Sequence, residues 1–121
     1  MEKRIIIIDD DQDILEALED LLEMEGYTVL VNPKGDNVIE EIKKFHPHIV
    51  LLDLLLSGRD GATICRDIRK TEEIHKTPII IMSAHPYAQK AIEKCSANEF
   101  LHKPFDVEEL LKLLQKHIVC I

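Results

Sequence analysis

Three acids in succession, Asp9-Asp10-Asp11, follow a short apolar run, and a fourth acid, Asp53, follows a second one. A hydroxyl, Ser83, follows a third run, and an amine, Lys103, stands directly before Pro104. If the fold brings these positions together, carboxylates crowd one another. At ~4 Å and an effective dielectric of about 20, each like-charged pair costs roughly 4 kcal/mol. A raised pKa, a nearby cation or a bound metal must compensate. A hard divalent cation with oxygen ligands is the natural solution. Magnesium suits best, because it keeps several waters, takes only one or two carboxylates and leaves room for a phosphoryl oxygen. Ser83 and Lys103 are residue types able to hold the other oxygens of such a group. A carboxylate can itself be the nucleophile toward phosphorus, giving an acyl phosphate.

The elements that must position these residues are legible as apolar patterns. Ile5 to Ile8, Ile49 to Leu52 and Ile79 to Met82 are short and continuous, as expected for strands buried on both faces of a parallel sheet. Thr28 to Val31 and Glu99 to His102 are weaker strand candidates. Between them lie helical stripes: Ile14, Leu18, Leu21 and Leu22 with Gly26 as a stop; Val38, Ile39, Ile42 and Phe45; Ile64, Cys65 and Ile68. Tyr87 to Lys94 is the weakest helix. Val107, Leu110, Leu111, Leu114 and Ile118 form the strongest, with Asp106 and Glu109 spaced as a capping box. Strand then helix, five times over, predicts an α/β doubly wound fold with a parallel five-stranded sheet and helices on both faces. In such folds ligands sit outside the carboxyl ends of the strands, where Asp9, Asp10, Asp53, Ser83 and Lys103 all fall. One compact domain over residues 1–121 is expected.

Composition narrows the function further. The net charge of −8 argues against nucleic acid and against an anionic membrane surface as partners. Cys65, Cys95 and Cys120 form no CxxC pair, so neither a disulfide framework nor a zinc site is predicted, and free thiols fit a reducing cytosol. No apolar run approaches membrane-spanning length, and the first one is too short for a signal peptide. A cytoplasmic location is expected.

At its chemical positions the chain resembles the response-regulator receiver family of two-component signalling, in its single-domain, chemotaxis-type form. The stretch from Ile5 to Leu15 looks like that family's first strand and acidic pair, and Pro47 to Gly61 like its phosphoacceptor strand and following loop. Thr77 to Ala84 resembles the hydroxyl-bearing strand, and Phe100 to Phe105 the lysine motif. The resemblance covers essentially the whole chain and implies a flavodoxin-like (βα)5 sheet of order 2-1-3-4-5. It implies that Asp53 is the phosphoacceptor and that Mg2+ is the cofactor. The ion would be bound by Asp10 directly, by Asp9 mainly through water, by Asp53 and by the backbone carbonyl of Leu55. Ser83 and Lys103 would bind the phosphate, Ser83 and Phe100 would act as switch residues, and the bond before Pro104 would be cis. The donor would be a sensor histidine kinase or histidine phosphotransfer protein. A downstream protein target would read the face of the fourth helix, fifth strand and fifth helix, and the chain would be a monomer or weak dimer. No output domain would follow, and the chain would catalyse its own modification without being a turnover enzyme. The chain departs from the family pattern at Ser57, where Pro is frequent, at Ser96, where Gly is frequent, and at Phe100, which lacks a Tyr hydroxyl. Leu55 and His85 occupy positions that tune phosphate lifetime in the family.

Plainer readings compete. Asp11 is either solvated or a helix cap, and Asp13 is the expected N-cap of the first helix. Ser83 alone would be a strand-end hydroxyl and Lys103 alone a solvated amine. Phe100 is core or switch. The six histidines lack ligand spacing and read as surface or satisfied residues. Cys65 and Cys95 read as small core residues, and Cys120 as an exposed thiol. The rival functions are a constitutive, non-phosphorylated adaptor, which predicts lost site residues, and a small phosphatase. The latter needs a second acid just after the nucleophile, where Leu55 stands.

Overall fold

A computed structural model describes residues 2–56, 58–85 and 88–118. The main sheet has five parallel strands: β1 (Lys3–Ile8), β2 (Tyr27–Asn32), β3 (Ile49–Asp53), β4 (Ile79–Ser83) and β5 (Glu99–His102). Its order is β2-β1-β3-β4-β5. The helices are α1 (Gln12–Met24), α2 (Val38–Phe45), α3 (Gly61–Lys70), α4 (Ala88–Cys95) and α5 (Val107–His117). This is the flavodoxin-like arrangement, with the order reversal between β1 and β3.

Strand alternation explains why the apolar runs are unbroken. Ile6, Ile8, Val50, Leu52, Ile79 and Ile81 point to one face and pack under α2, α3 and α4. Ile5, Ile7, Ile49, Leu51, Ile80 and Met82 point to the other and pack under α1 and α5. Each face needs its own apolar residues, so successive positions are all apolar. Cys65 and Cys95 are buried free thiols in the first of these cores.

Local chemistry ends the helices. Gly26, at φ +94°, reverses the chain after α1, and Glu25 N–H closes the helix onto the Leu21 carbonyl. Ser96 takes a φ of 62° after α4, a left-handed conformation that favours glycine. Arg69, at the end of α3, donates to the carbonyls of Ser96, His75 and Thr77 and to the Asn98 side chain. It thereby ties together the loops that launch β4 and β5.

Two expectations about caps need correction. Asp11, not Asp13, caps α1: its carboxylate accepts from Asp13 and Ile14 N–H. The helix begins at Gln12, so Asp13 already lies inside the first turn. Asp106 is the N-cap of α5, but its side chain accepts no capping hydrogen bond, so the capping box with Glu109 does not form. A further departure is a two-residue antiparallel hairpin, Leu55–Leu56 against Arg59–Asp60, for which no apolar pattern existed. Ser57, Tyr87 and Cys120 lie outside the described residues, as do the side chains of Ala88, Ala91 and Ile92. Among the described residues, no helix is long and apolar enough to cross a membrane.

Candidate phosphoacceptor and metal site

Register carries the rim residues to one level. Ile8 pairs with Leu52, so Asp9 and Asp53 emerge side by side from β1 and β3. Asp53 pairs with Met82, and Ser83 with His102, which sets Ser83 and Lys103 beside them. The ladders continue past the strands: Leu54 N–H donates to Met82 carbonyl at 3.0 Å, and Lys103 N–H to Ser83 carbonyl at 2.9 Å.

Asp9 is fully buried, Asp53 and Ser83 are nearly so, and Asp10 is exposed. Carboxylate oxygens of Asp9, Asp10 and Asp53 all lie within 4.8 Å of one another. Lys103 Nζ is 2.8 Å from Asp9 and 3.4 Å from Asp53. Asp9 and Asp53 therefore share one ammonium, with the Asp10 carboxylate close by. Asp53 shows the consequence, its pKa being pushed up to about 6 by burial first and then by the charge of Asp9, against the opposing pull of Lys103. Burial works against the Lys103 ammonium, but its hydrogen bond to Asp9 and the charges of Asp9 and Asp53 outweigh this and raise its pKa.

The donor set fits a hard divalent cation. Its ligand atoms are all carboxylate oxygens lying close together, and one of the three residues is exposed to water. The cavity over Asp53, about 420 Å³, is walled by Leu55, Ser83, Ala84, His85 and Lys103. Ser83 Oγ accepts from His85 N–H at 2.9 Å, which leaves its own proton available to a ligand oxygen. The Lys103–Pro104 bond is cis. Phe100 is half-buried, packs against the α2–α4 core and lies 6.0 Å from the His102 ring. The histidines do not converge on a ligand site: His48 accepts from Arg4 N–H, and His117 pairs with Glu99.

Gly61 is a site residue that the sequence did not single out. A Cβ there would stand 2.3 Å from the Asp53 carbonyl oxygen and 2.8 Å from Leu54 Cα. Its N–H donates to Leu54 carbonyl at 2.7 Å, and Asp60 caps the helix that follows. Only a glycine lets α3 start this close to the acceptor strand. Gly61→Ala is expected to cost about 3 kcal/mol, because the obstructing atoms are backbone and cannot rotate away. A urea midpoint within error of the parent would refute this close-packing role.

Comparison with known proteins agrees with this geometry. The family model for the response regulator receiver domain matches residues 5–115. Among solved structures, a response-regulator candidate from Chloroflexus aurantiacus is 30% identical with a TM-score of 0.90, over 98% of each chain. The receiver domain of the sensor histidine kinase PA1611 from Pseudomonas aeruginosa, with magnesium in its active site cleft, is 26% identical with a TM-score of 0.89, over 98% of each chain. The beryllofluoride-activated receiver domain of Klebsiella pneumoniae RstA is 28% identical with a TM-score of 0.86, over 98% of this chain and all of that one.

Proposed function

The chain belongs to the response regulator receiver domain family, and from that premise we propose that it is a phosphorylation-controlled switch whose acceptor is Asp53. The observation that carries this reading is the convergence of three carboxylates, one ammonium and one hydroxyl at the carboxyl end of the sheet. Asp9, Asp10 and Asp53, with the Leu55 carbonyl, would hold Mg2+, as the magnesium-bearing relative supports. When bound, that ion supplies positive charge to the phosphoryl oxygens.

The protein's own residues then do the following. An Asp53 carboxylate oxygen attacks phosphorus in line while the bond from phosphorus to the donor's imidazole nitrogen breaks, the electron pair leaving with that nitrogen. Lys103 shifts from the carboxylates to a phosphoryl oxygen, and Ser83 Oγ donates to another. Leu55, a residue 59% exposed at the cavity wall, limits the approach of water to the product. On this reading the chain is a switch rather than a turnover enzyme, since the phosphoryl group stays on Asp53.

The donor, a histidine kinase or histidine phosphotransfer protein, must bring its imidazole to this cavity. An apolar groove of about 560 Å³ lined by Ile14, Leu18, Leu21, Phe105 and Val107 opens beside Lys103 and supports docking there. Output would run through Ser83 and Phe100 to the α4–β5–α5 face, where a target protein binds.

Intact-mass analysis after incubation with acetyl phosphate tests the reading. A single phosphoryl adduct that requires magnesium and disappears in chelator is expected. No adduct, together with no response to beryllofluoride, would transfer the assignment to a constitutive adaptor.

A further inference from the structure

A second cavity adjoins the acceptor site and differs from it in charge. It encloses about 490 Å³ between α3 and α4, and Leu54, Ala62, Arg66, Lys90 and Lys94 contribute to its lining. It shares Leu55 and His85 with the cavity over Asp53, so the two are contiguous. Lys90 and Lys94 are one helical turn apart and project from the same side of α4. Arg66 faces them from α3. The acid among the described lining residues is Asp60, whose carboxylate accepts from Ala62 N–H at the start of α3, and Glu93 directly precedes Lys94 on α4. Among the described lining residues, three cations against one acid is a local reversal in a chain of net charge −8.

This reversal matters for substrates. A phosphodonor is an anion, and the acceptor site presents Asp9, Asp10 and Asp53 to it. The groove on the α1–α5 side is apolar and offers an anion little. We propose that the α3–α4 cavity is an anion vestibule that admits small acyl phosphates to Asp53, making Arg66, Lys90 and Lys94 determinants of donor choice. The inference rests on the phosphoacceptor reading above. In the reaction served, an Asp53 oxygen bonds to phosphorus and the bond between phosphorus and the acyl oxygen breaks. The electron pair leaves on a carboxylate, and no proton is transferred. Fields of this kind act on encounter rates and fade with salt.

The experiment compares the parent chain with K90E/K94E and K90Q/K94Q, following adduct formation by intact mass under saturating magnesium. The donors are acetyl phosphate and phosphoramidate, which carries less negative charge. At low salt the acetyl phosphate rate should fall roughly tenfold in K90E/K94E and about threefold in K90Q/K94Q. Phosphoramidate should change far less, and the acetyl phosphate gap should close near ~1 M salt, where the Debye length is about 3 Å. Unchanged rates in the variants, with a normal adduct in the parent, would overturn the vestibule alone. Equal, salt-independent losses for both donors would overturn it too, since they would signal a displaced site. No adduct in the parent with either donor would overturn the acceptor reading itself.

Discussion

In chelator at pH 8, Asp53→Asn is expected to be more stable than the parent chain by about 3 kcal/mol. The folded-state pKa of Asp53 is pushed from 3.8 to about 6 by burial and by Asp9. At ~1.4 kcal/mol per unit, a displacement of about two units corresponds to that penalty on the ionised form. The sign follows from proton binding. Because the folded pKa is raised, the folded state binds a proton before the unfolded state does as pH falls. The penalty is therefore complete above pH ~7, shrinks as pH falls through about 6, and is gone below about 3.8. Asn carries no charge at any of these values, so the difference between variant and parent isolates this one group. The measurement is urea denaturation of both proteins from pH 4 to 8. The gap should open between pH 4 and 6 and then level off, with a midpoint difference in thermal scans of roughly 10 °C at the plateau. Equal midpoints throughout would refute the crowded-acid picture, and so would a gap that widens toward acid. Magnesium should narrow the gap, because it stabilises the folded parent by mass action and the variant less. A site kept unstable until an ion or phosphoryl group arrives is the expected trade between stability and function.

The same physics decided what could be read before the structure. Parallel strands need apolar residues on both faces, so Ile5 to Ile8 and Ile49 to Leu52 announced themselves, and the rim residues followed from where those runs stop. The site was legible because each of its acids, its hydroxyl and its amine sits at a strand end. What escaped depends on how the chain leaves a strand. Asp9 turns inward and accepts from Asp11 N–H at 2.9 Å, which places Asp11 rather than Asp13 at the head of α1. Both residues suit an N-cap, and composition cannot choose between them. Arg69 looked like any solvated arginine near a helix end, yet it reaches four acceptors in two loops. Gly61 carried a weak signal in the Asp60-Gly61 pair, a cap followed by a residue without a side chain. Its 2.3 Å approach to the Asp53 carbonyl is a tertiary fact. The cationic vestibule likewise joins Arg66 to Lys90 and Lys94 across two helices, a juxtaposition that no local window contains.

Lys103→Met should shift stability by a similar amount in the opposite direction. Lys103 Nζ lies 2.8 Å from Asp9, which is 0% exposed and also accepts from Asp11 N–H. Removing the ammonium leaves that carboxylate buried beside Asp53 without the cation it is paired with. Breaking such a pair costs about 3–5 kcal/mol, and a value near 3 is expected here because Lys103 keeps some contact with solvent. The folded pKa of Lys103 is raised by Asp9 and Asp53 in spite of burial. Its contribution is thus whole below its unfolded value near 10.5 and is lost only as pH rises through the folded one. The loss should therefore be full at neutral pH. Two further measurements separate charge from packing. In chelator, Asp53→Asn combined with Lys103→Met should be less destabilised than the single effects add up to, because the variant removes one of the acids the lysine opposes. Added magnesium should restore more stability to Lys103→Met than to the parent, since the ion takes over the lysine's electrostatic role. A midpoint equal to the parent's in chelator would mean that water reaches Asp9. In that case Lys103 would not be the counterion that holds the metal-free site together.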